Sequence, residues 1–428
     1  MFSSFRFIDF KSFEGATLKT PNFTLIIGAN ASGKSNAVDG MRILRRMADP
    51  VDIGTVLDGV RGQEPGIRGG SQAIPRIGAQ GKRFHLSCHL DDDEGLLAYR
   101  VVIDLEPRVI VSKEWLDEWD TRKRDWIPLF DTGDATPDRG DIQGTFYSGN
   151  PGRRPSVQFL RNFSALSQVP GRIPGDTTGP KRVRAAAARM ANALRKILVL
   201  DPVPQLMRNY QPRHRTEIIA TGENLSAVVA NLIQTPDMKE KLLTYLQDVP
   251  EQQITDLSIL EAPTGEVMLQ VMEQCGSSQV AVDARSISDG TLRYLAVLAA
   301  LLSEKPGTTL VVEEIDNGLH PSRVGRLLAA LREAGIQRGI QVIATTHNPA
   351  LLNALTKDDL KGVTVCYRDA ETGTSRFVPW LEIPSYPALM ARARLGDLVA
   401  RGDVLAAVHA DPDKETKDAL DWIKENLP

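Results

Sequence analysis

The sequence predicts an α/β fold, in which a mixed, largely parallel sheet flanked by helices is joined to an antiparallel β part. Three observations predict it. Short apolar, β-branched runs at 23–27, 309–312 and 340–346 each end in a polar loop followed by a helical stretch, the pattern of strands buried on both faces. Strand-like segments at 83–90, 95–105 and 108–111 follow one another through short connections, which makes an antiparallel meander. Alanine and arginine dominate 180–198, and both are strong helix formers.

Composition bounds the rest. A chain of 428 residues can bury a large core and suggests two or three domains. With 42% hydrophobic and 25% charged residues it reads as an ordinary globular protein, and a net charge of −3 argues neither for nor against a nucleic-acid partner. Cys88, Cys275 and Cys366 are far apart, with no C-x-x-C pair, which disfavours a zinc site or a disulfide framework and suits a reducing compartment. No apolar run reaches the length of about 18 residues that a spanning helix needs. Arg6, Asp9 and Lys11 interrupt any signal-peptide core at the N-terminus, so the expectation is a cytoplasmic chain with no membrane partner.

In order, residues 5–10 alternate as a half-buried strand, and 10–15 turn into the strand 23–27. The glycine-rich stretch 54–82 reads as loop, and none of its glutamines (Gln63, Gln72, Gln80) stands out. His85 and His89 share a strand face, but with no further ligand nearby they read as structural. Residues 131–180 are poor in apolar clusters. The helix 180–198 carries Lys181, Arg182, Arg184, Arg189, Arg195 and Lys196; without interleaved aromatics this reads first as a solvated face and second as a phosphate-binding stripe. Two helices broken near Pro236 and two strands joined by Pro263-Thr264-Gly265 lead to the motif-dense part of the chain.

The stretch with the clearest chemistry is Gly28-Ala29-Asn30-Ala31-Ser32-Gly33-Lys34-Ser35, the G-x-x-x-x-G-K-[ST] phosphate loop, followed by Asn36 and a helix to Met47. Its glycines let successive N–H groups turn around a phosphate, Lys34 reaches the β- and γ-phosphates, and the Ser35 hydroxyl takes a Mg²⁺ position. The helix that follows aims its positive end at the anion.

Three further motifs follow downstream. Ser286-Ile287-Ser288-Asp289-Gly290 opens an apolar helix that Ser288 can cap, with bare backbone at Gly290. The run Leu310-Val311-Val312 ends in Glu313-Glu314, then Ile315-Asp316-Asn317-Gly318; carboxylates at the carboxyl edge of a parallel sheet lie where ligands bind, with Glu313 suited to the metal and Glu314 to a general base. Thr345-Thr346-His347-Asn348-Pro349 ends a buried run, and a neutral imidazole there can bond a phosphate or a water.

Taken together and in this order, the four motifs resemble the ABC-type ATPases, and more narrowly the branch that holds the SMC and RecF proteins and the OLD (overcoming lysogenization defect) ATPases. The wording from Glu313 to Pro321, the stretch Thr345–Leu352 and the opening Phe10-Lys11-Ser12-Phe13 carry the narrower likeness. The resemblance covers roughly 1–110 and 250–370. It implies an ABC-type head with a mixed or parallel phosphate-loop sheet, an antiparallel β subdomain and a helical insertion. It also implies ATP and Mg²⁺ as cofactors, and homodimerisation or higher assembly through heads that sandwich ATP.

Carried onto this chain, the ATP-binding residues are Lys11, Gly28, Ala29, Asn30, Ala31, Ser32, Gly33, Lys34, Ser35 and Asn36. Ser35 and Glu313 hold the metal, Glu314 is the catalytic base and His347 the switch histidine. Ser286, Ser288, Asp289 and Gly290 reach the γ-phosphate of a second subunit, and Asp316 falls in the loop between subunits. Departures are Glu313 where aspartate is usual in transporters, no clear glutamine loop (Gln168 the nearest guess), no long coiled-coil arms and no Toprim nuclease motif after His347.

The expected division is an N-terminal lobe over 1–110, a mostly helical insertion over 111–250, a C-terminal lobe over 251–375 and a helical tail over 376–428. The resulting expectation is an ATPase that controls a separate effector, a nuclease or toxin, in anti-phage defence. The alternatives are a RecF-like DNA repair ATPase and a nucleotide-dependent scaffold that rarely turns over.

Overall fold

The computed structural model describes residues 1–60, 65–133, 139–150, 152, 154–246 and 253–410. Gln63 and the end of the tail, 411–428, lie outside them.

The chain opens with an antiparallel hairpin, β1 (Phe2–Phe10) and β2 (Phe13–Lys19), then β3 (Phe23–Ile27), which feeds the phosphate loop and helix α1 (Lys34–Met47). Alternate residues of β1 (Phe5, Phe7) are fully buried, as period-two patterning requires. The stretch 54–82, expected to be loop, begins with the short helix α2 (Ile53–Asp58), whose first turn is capped by the Asp52 carboxylate accepting from Thr55 N–H.

Next comes the meander, longer than the sequence suggested: β4 (Arg83–Asp92), β5 (Gly95–Asp104), β6 (Ile110–Asp120), β7 (Asp125–Thr132), β8 (Asp141–Phe146) and β9 (Ser156–Leu160). With β1 and β2 they form one eight-stranded sheet in the order β2-β1-β4-β5-β6-β7-β8-β9, with antiparallel pairs. This corrects the reading of 111–250 as mostly helical, because β6 to β9 are strands. Their signal was weak for a physical reason. β8 carries Asp and Gly, both poor strand formers, and β9, at the end of the sheet, buries only Phe159. Helices begin only afterwards, with α3 (Ala165–Arg172) and α4 (Thr178–Arg195). The buried Glu114 carboxylate ties α3 to β6 by accepting from Ala165 N–H, Leu166 N–H and the Ser164 and Tyr99 hydroxyls.

The remaining elements are β10 (Ile197–Leu200), α5 (Pro204–Met207), β11 (Gln211–Pro212), α6 (Leu225–Leu232), α7 (Pro236–Leu246), β12 (Gln253–Glu261), β13 (Glu266–Cys275), β14 (Ser278–Asp283), α8 (Asp289–Ser303), β15 (Thr309–Val312), α9 (Val324–Gln337), β16 (Gln341–Thr346), α10 (Pro349–Asn353), β17 (Val363–Arg368), β18 (Ser375–Pro379), α11 (Tyr386–Arg392), α12 (Leu395–Arg401) and α13 (Asp403–His409). Strands β11 to β14 make a small antiparallel sheet. The second large sheet has the order β10-β15-β16-β3-β17-β18; all its pairs are parallel except the edge hairpin β17–β18.

This parallel sheet divides the core. Ile26, Val311 and Ile343 point into one apolar cluster with α1, α4 and the eight-stranded sheet. Their neighbours Leu25, Ile27, Leu310, Val312, Val342 and Ala344 point into a second, with α8, α9 and the tail helices. Successive side chains on a strand face opposite ways, so continuous apolar runs are what a sheet covered on both faces needs, each buried side chain worth about 1.5–3 kcal/mol. The expected α/β class with a phosphate-loop sheet and an antiparallel β part is the observed one.

Among the described residues no group of His, Cys, Asp and Glu is arranged to hold a metal. His89 instead stacks on Trp126 and meets the Ser4 hydroxyl. Among the described residues no helix is long and apolar enough to cross a membrane. The basic helix α4 spends its arginines within the chain: Arg182 pairs with Glu118, Arg189 with Asp92, Arg195 with Asp49, and Arg184 donates to the Ile173 and Gly175 carbonyls.

Candidate functional site

Parallel pairing puts the carboxyl ends of β3, β15 and β16 side by side, and the sequence motifs sit on those ends. Gly28 leaves β3 at φ +153°, and a Cβ there would lie 2.1 Å from the Cys366 carbonyl oxygen of the neighbouring strand. Ala31 and Gly33 also have positive φ, +63° and +116°, so the loop curls back before α1 starts. Gly33 is the cap residue, and no side chain caps α1, so its first-turn N–H groups face the loop. Ser375 Oγ donates to the Ser32 carbonyl and Asn36 to the Ser12 hydroxyl, fixing the loop from β18 and from the β1–β2 turn.

Lys34 folds over this loop and donates to the Gly28 and Ala29 carbonyls at 2.6 and 2.9 Å. Burial lowers its pKa, while Cys366 and Glu314 nearby pull the other way. A phosphate in the loop would take over this ammonium from two neutral carbonyls, a favourable exchange. The fit to a nucleotide phosphate and Mg²⁺ rests on this cradle, on the buried Ser32 Oγ with no partner, and on the hydroxyl and carboxylate of Ser35 and Glu313 as hard oxygen donors.

Glu313 and Glu314 diverge beyond β15. Glu313 is nearly buried, its carboxylate held by Arg68 and Arg42. Glu314 has φ +46°, uncommon for a residue with a side chain, and is exposed. Thr345 Oγ1 receives its N–H at 2.9 Å, which pins the loop to the end of β16. Ser35, Arg68, Asp201, Arg293, Glu313 and Glu314 line a cavity of about 250 Å³. His347 follows β16 and is exposed; with Gly28–Ser32 it borders a second cavity of about 690 Å³, closed on its far side by α12 and α13.

Other expected residues stand differently. The Lys11 ammonium is engaged within the chain: it bonds the buried Asp39 carboxylate at 2.6 Å and the Arg68 carbonyl at 3.0 Å. Asp316 is buried and accepts from the Thr346 hydroxyl at 2.5 Å, so its carboxylate turns inward rather than out of the molecule, because a buried anion needs a donor. Gln168 spends its amide on Leu160, Phe163 and Ser164 backbone groups, which excludes it as a phosphate-facing glutamine.

Ser288 caps α8 by accepting from Thr291 N–H, Asp289 pairs with Arg208, and Ser286 is exposed. The turn from Ser286 to Gly290 lines neither of these cavities. It touches the loop after β15 instead: a Cβ on Gly290 would lie 1.9 Å from the Gly318 carbonyl oxygen.

Sequence reasoning missed Asp39, Arg42 and Arg68. One signal existed for the first: a carboxylate among Val38, Gly40 and Met41 on the buried face of a helix demands a cation.

Comparison with known proteins supplies the family. The profile described as "AAA domain, putative AbiEii toxin, Type IV TA system" matches residues 23–353. No curated protein matches the chain. Among solved structures, one described as the SmcHead bound to the C-winged helix domain of ScpA aligns at TM-score 0.48 and 15% identity, over 88% of this chain and 96% of that one. An SMC head domain from Thermotoga maritima aligns at 0.41 and 13% identity, over 88% and 98%. An Smc head with an extended coiled coil, bound to the C-terminal domain of ScpA derived from Pyrococcus furiosus, aligns at 0.45 and 14% identity, over 92% and 99%.

Proposed function

Because the chain belongs to the family described as "AAA domain, putative AbiEii toxin, Type IV TA system", we propose that it is an ABC-type ATPase, whose nucleotide-dependent pairing of heads controls a separate effector. One observation carries the enzymatic part. The phosphate loop is more than two hundred residues from the Glu313-Glu314 pair and His347 in the chain, yet all three follow adjacent strand ends.

In this reading the loop N–H groups and Lys34 hold the phosphates, with Ala29, Asn30, Ala31, Ser32 and Asn36 shaping the cradle. Ser35 and Glu313 hold Mg²⁺, which when bound offsets charge on the phosphate oxygens. Glu314 takes the proton of the attacking water; an exposed carboxylate on a loop pinned by Thr345 suits that task. His347 orients the water or the terminal phosphate from the other side.

Dimerisation has its own support. The Ser288–Gly290 turn lines neither cavity beside the phosphate loop, an arrangement that suits contact with a phosphate presented by another copy. Asp316 then acts by holding the loop in place through Thr346. The family's description names a putative toxin of a toxin–antitoxin system, which supports a link to such a system; we extend that link to a separate effector, a toxin or nuclease in anti-phage defence. The DNA-binding alternative loses its basic stripe to the ion pairs and carbonyl bonds of α4.

The test is turnover by purified Glu314→Gln with mass measured in ATP and in ADP. The expected result is hydrolysis reduced by about 10²–10⁴-fold with a dimer that persists in ATP. Wild-type turnover in the variant removes Glu314 as the base, and a monomer under both nucleotides removes the paired-head reading.

A further inference from the structure

Arg68 lies between α2 and β4, in a stretch with no strand or helix pattern, and nothing in its neighbourhood in the sequence marks it. Its guanidinium nevertheless joins three parts of the site. It donates to both Asp39 oxygens, with distances of 3.0–3.2 Å. It donates to both Glu313 oxygens, Nη1 to Oε2 at 3.2 Å and Nη2 to Oε1 at 3.0 Å. Nη2 also reaches the Ser35 carbonyl at 2.9 Å. Burial lowers its pKa, but Asp39 and Glu313 outweigh that and hold the cation above its usual range.

The two ends of this bridge differ. Asp39 is fully buried and shared with Lys11 and Arg42, so it is a fixed anchor. The Arg68 side chain is 48% exposed, so its Glu313 end can move without opening the core. One cation thus binds the Glu313 carboxylate assigned to the metal and the backbone carbonyl, not the hydroxyl, of Ser35.

We propose that Arg68 is a positioning residue that competes with Mg²⁺ for Glu313. It holds the Glu313 carboxylate in place, is displaced from it when the divalent cation arrives, and stays tethered by Asp39. The inference rests on the nucleotide-binding reading above. It makes the magnesium requirement an exchange of one cation for another rather than the filling of a bare carboxylate. Arg42, 3.3 Å from the same carboxylate, stays beside Glu313 throughout, so the nearly buried anion is never left without a cation.

The experiment uses the full chain and a fluorescent ATP analogue, titrated in EDTA and then with Mg²⁺, for wild type, Arg68→Ala, Arg68→Lys and Lys34→Ala. Binding that is strong in wild type and lost in Lys34→Ala upholds the nucleotide reading; equal binding in both overturns that reading and this inference with it. For Arg68→Ala, the expected result is unchanged binding in EDTA and a Mg²⁺ midpoint about tenfold lower, the modest size set by solvent screening of a half-exposed pair. Arg68→Lys, which keeps the charge and loses the two-pronged grip, is expected between the two and also covers the case in which the alanine variant fails to fold. An unchanged or higher midpoint in both variants overturns the exchange, and so does loss of nucleotide binding in EDTA, which would make Arg68 a nucleotide contact instead.

Discussion

Substituting Gly290 by alanine tests how the two ends of the proposed machinery communicate inside one chain. The perturbation is a single methyl group. Built on the observed backbone, that carbon sits 1.9 Å from the Gly318 carbonyl oxygen, where contacts under 3.0 Å are essentially never seen. No flexible side chain stands between them, so one backbone must give by about 1 Å, a displacement that at an active site can cost on the order of 100-fold in rate. The segment that yields is either the turn that starts α8 or the loop 313–318, which carries Glu314. Neither belongs to the phosphate cradle, whose contacts run through β18 and the β1–β2 turn. The expected outcome for Gly290→Ala is therefore kcat lower by about 100-fold, or about 2.7 kcal/mol in the barrier, with nucleotide affinity within about threefold of wild type. Steady-state hydrolysis and equilibrium binding on the same preparation separate the two. A variant that hydrolyses ATP at the wild-type rate refutes the reasoning, because the close approach of Gly290 and Gly318 would then carry no function.

Two further outcomes concern stability. Asp39 is fully buried and bonded to three cations, so Asp39→Asn leaves Lys11, Arg42 and Arg68 facing one another and is expected to cost about 3 kcal/mol, read as a lower urea midpoint; an unchanged midpoint would show that the cluster is not a structural anchor. Asp359 gives a pH signature. Burial alone would raise its pKa, but the Arg332 guanidinium and the Thr356 N–H and hydroxyl outweigh it and hold the carboxyl below its usual value of 3.8. Because the folded pKa is depressed, this stability is present above the ordinary carboxylate pKa and is lost as pH falls through the folded one. The stability gap between wild type and Asp359→Asn is expected to be full at about pH 6 and to shrink below about pH 4; a gap independent of pH would contradict the assignment.

The sequence by itself determined the phosphate loop, the capped helix after Ser288, the carboxylate pair and the class of the fold. Each is a short-range feature. A phosphate is held by consecutive backbone groups, and a strand buried on both faces needs a continuous apolar run. Even the split of Ile26 from Leu25 and Ile27 into separate cores follows from period two.

The strands from Ile110 to Leu160 were partly lost because the last of them bury little and alternate polar residues on a weakly covered face. What only the tertiary structure decided is which charges meet. Arg68 and Glu313 are 245 positions apart, Asp316 turns inward to Thr346, Lys11 turns to Asp39, and Gly290 touches Gly318. No local pattern encodes these contacts, since a side chain's partner is set by how the layers pack and not by its neighbours in the chain. The arginine that reaches the carboxylate therefore came from the glycine-rich stretch that read as an unremarkable loop.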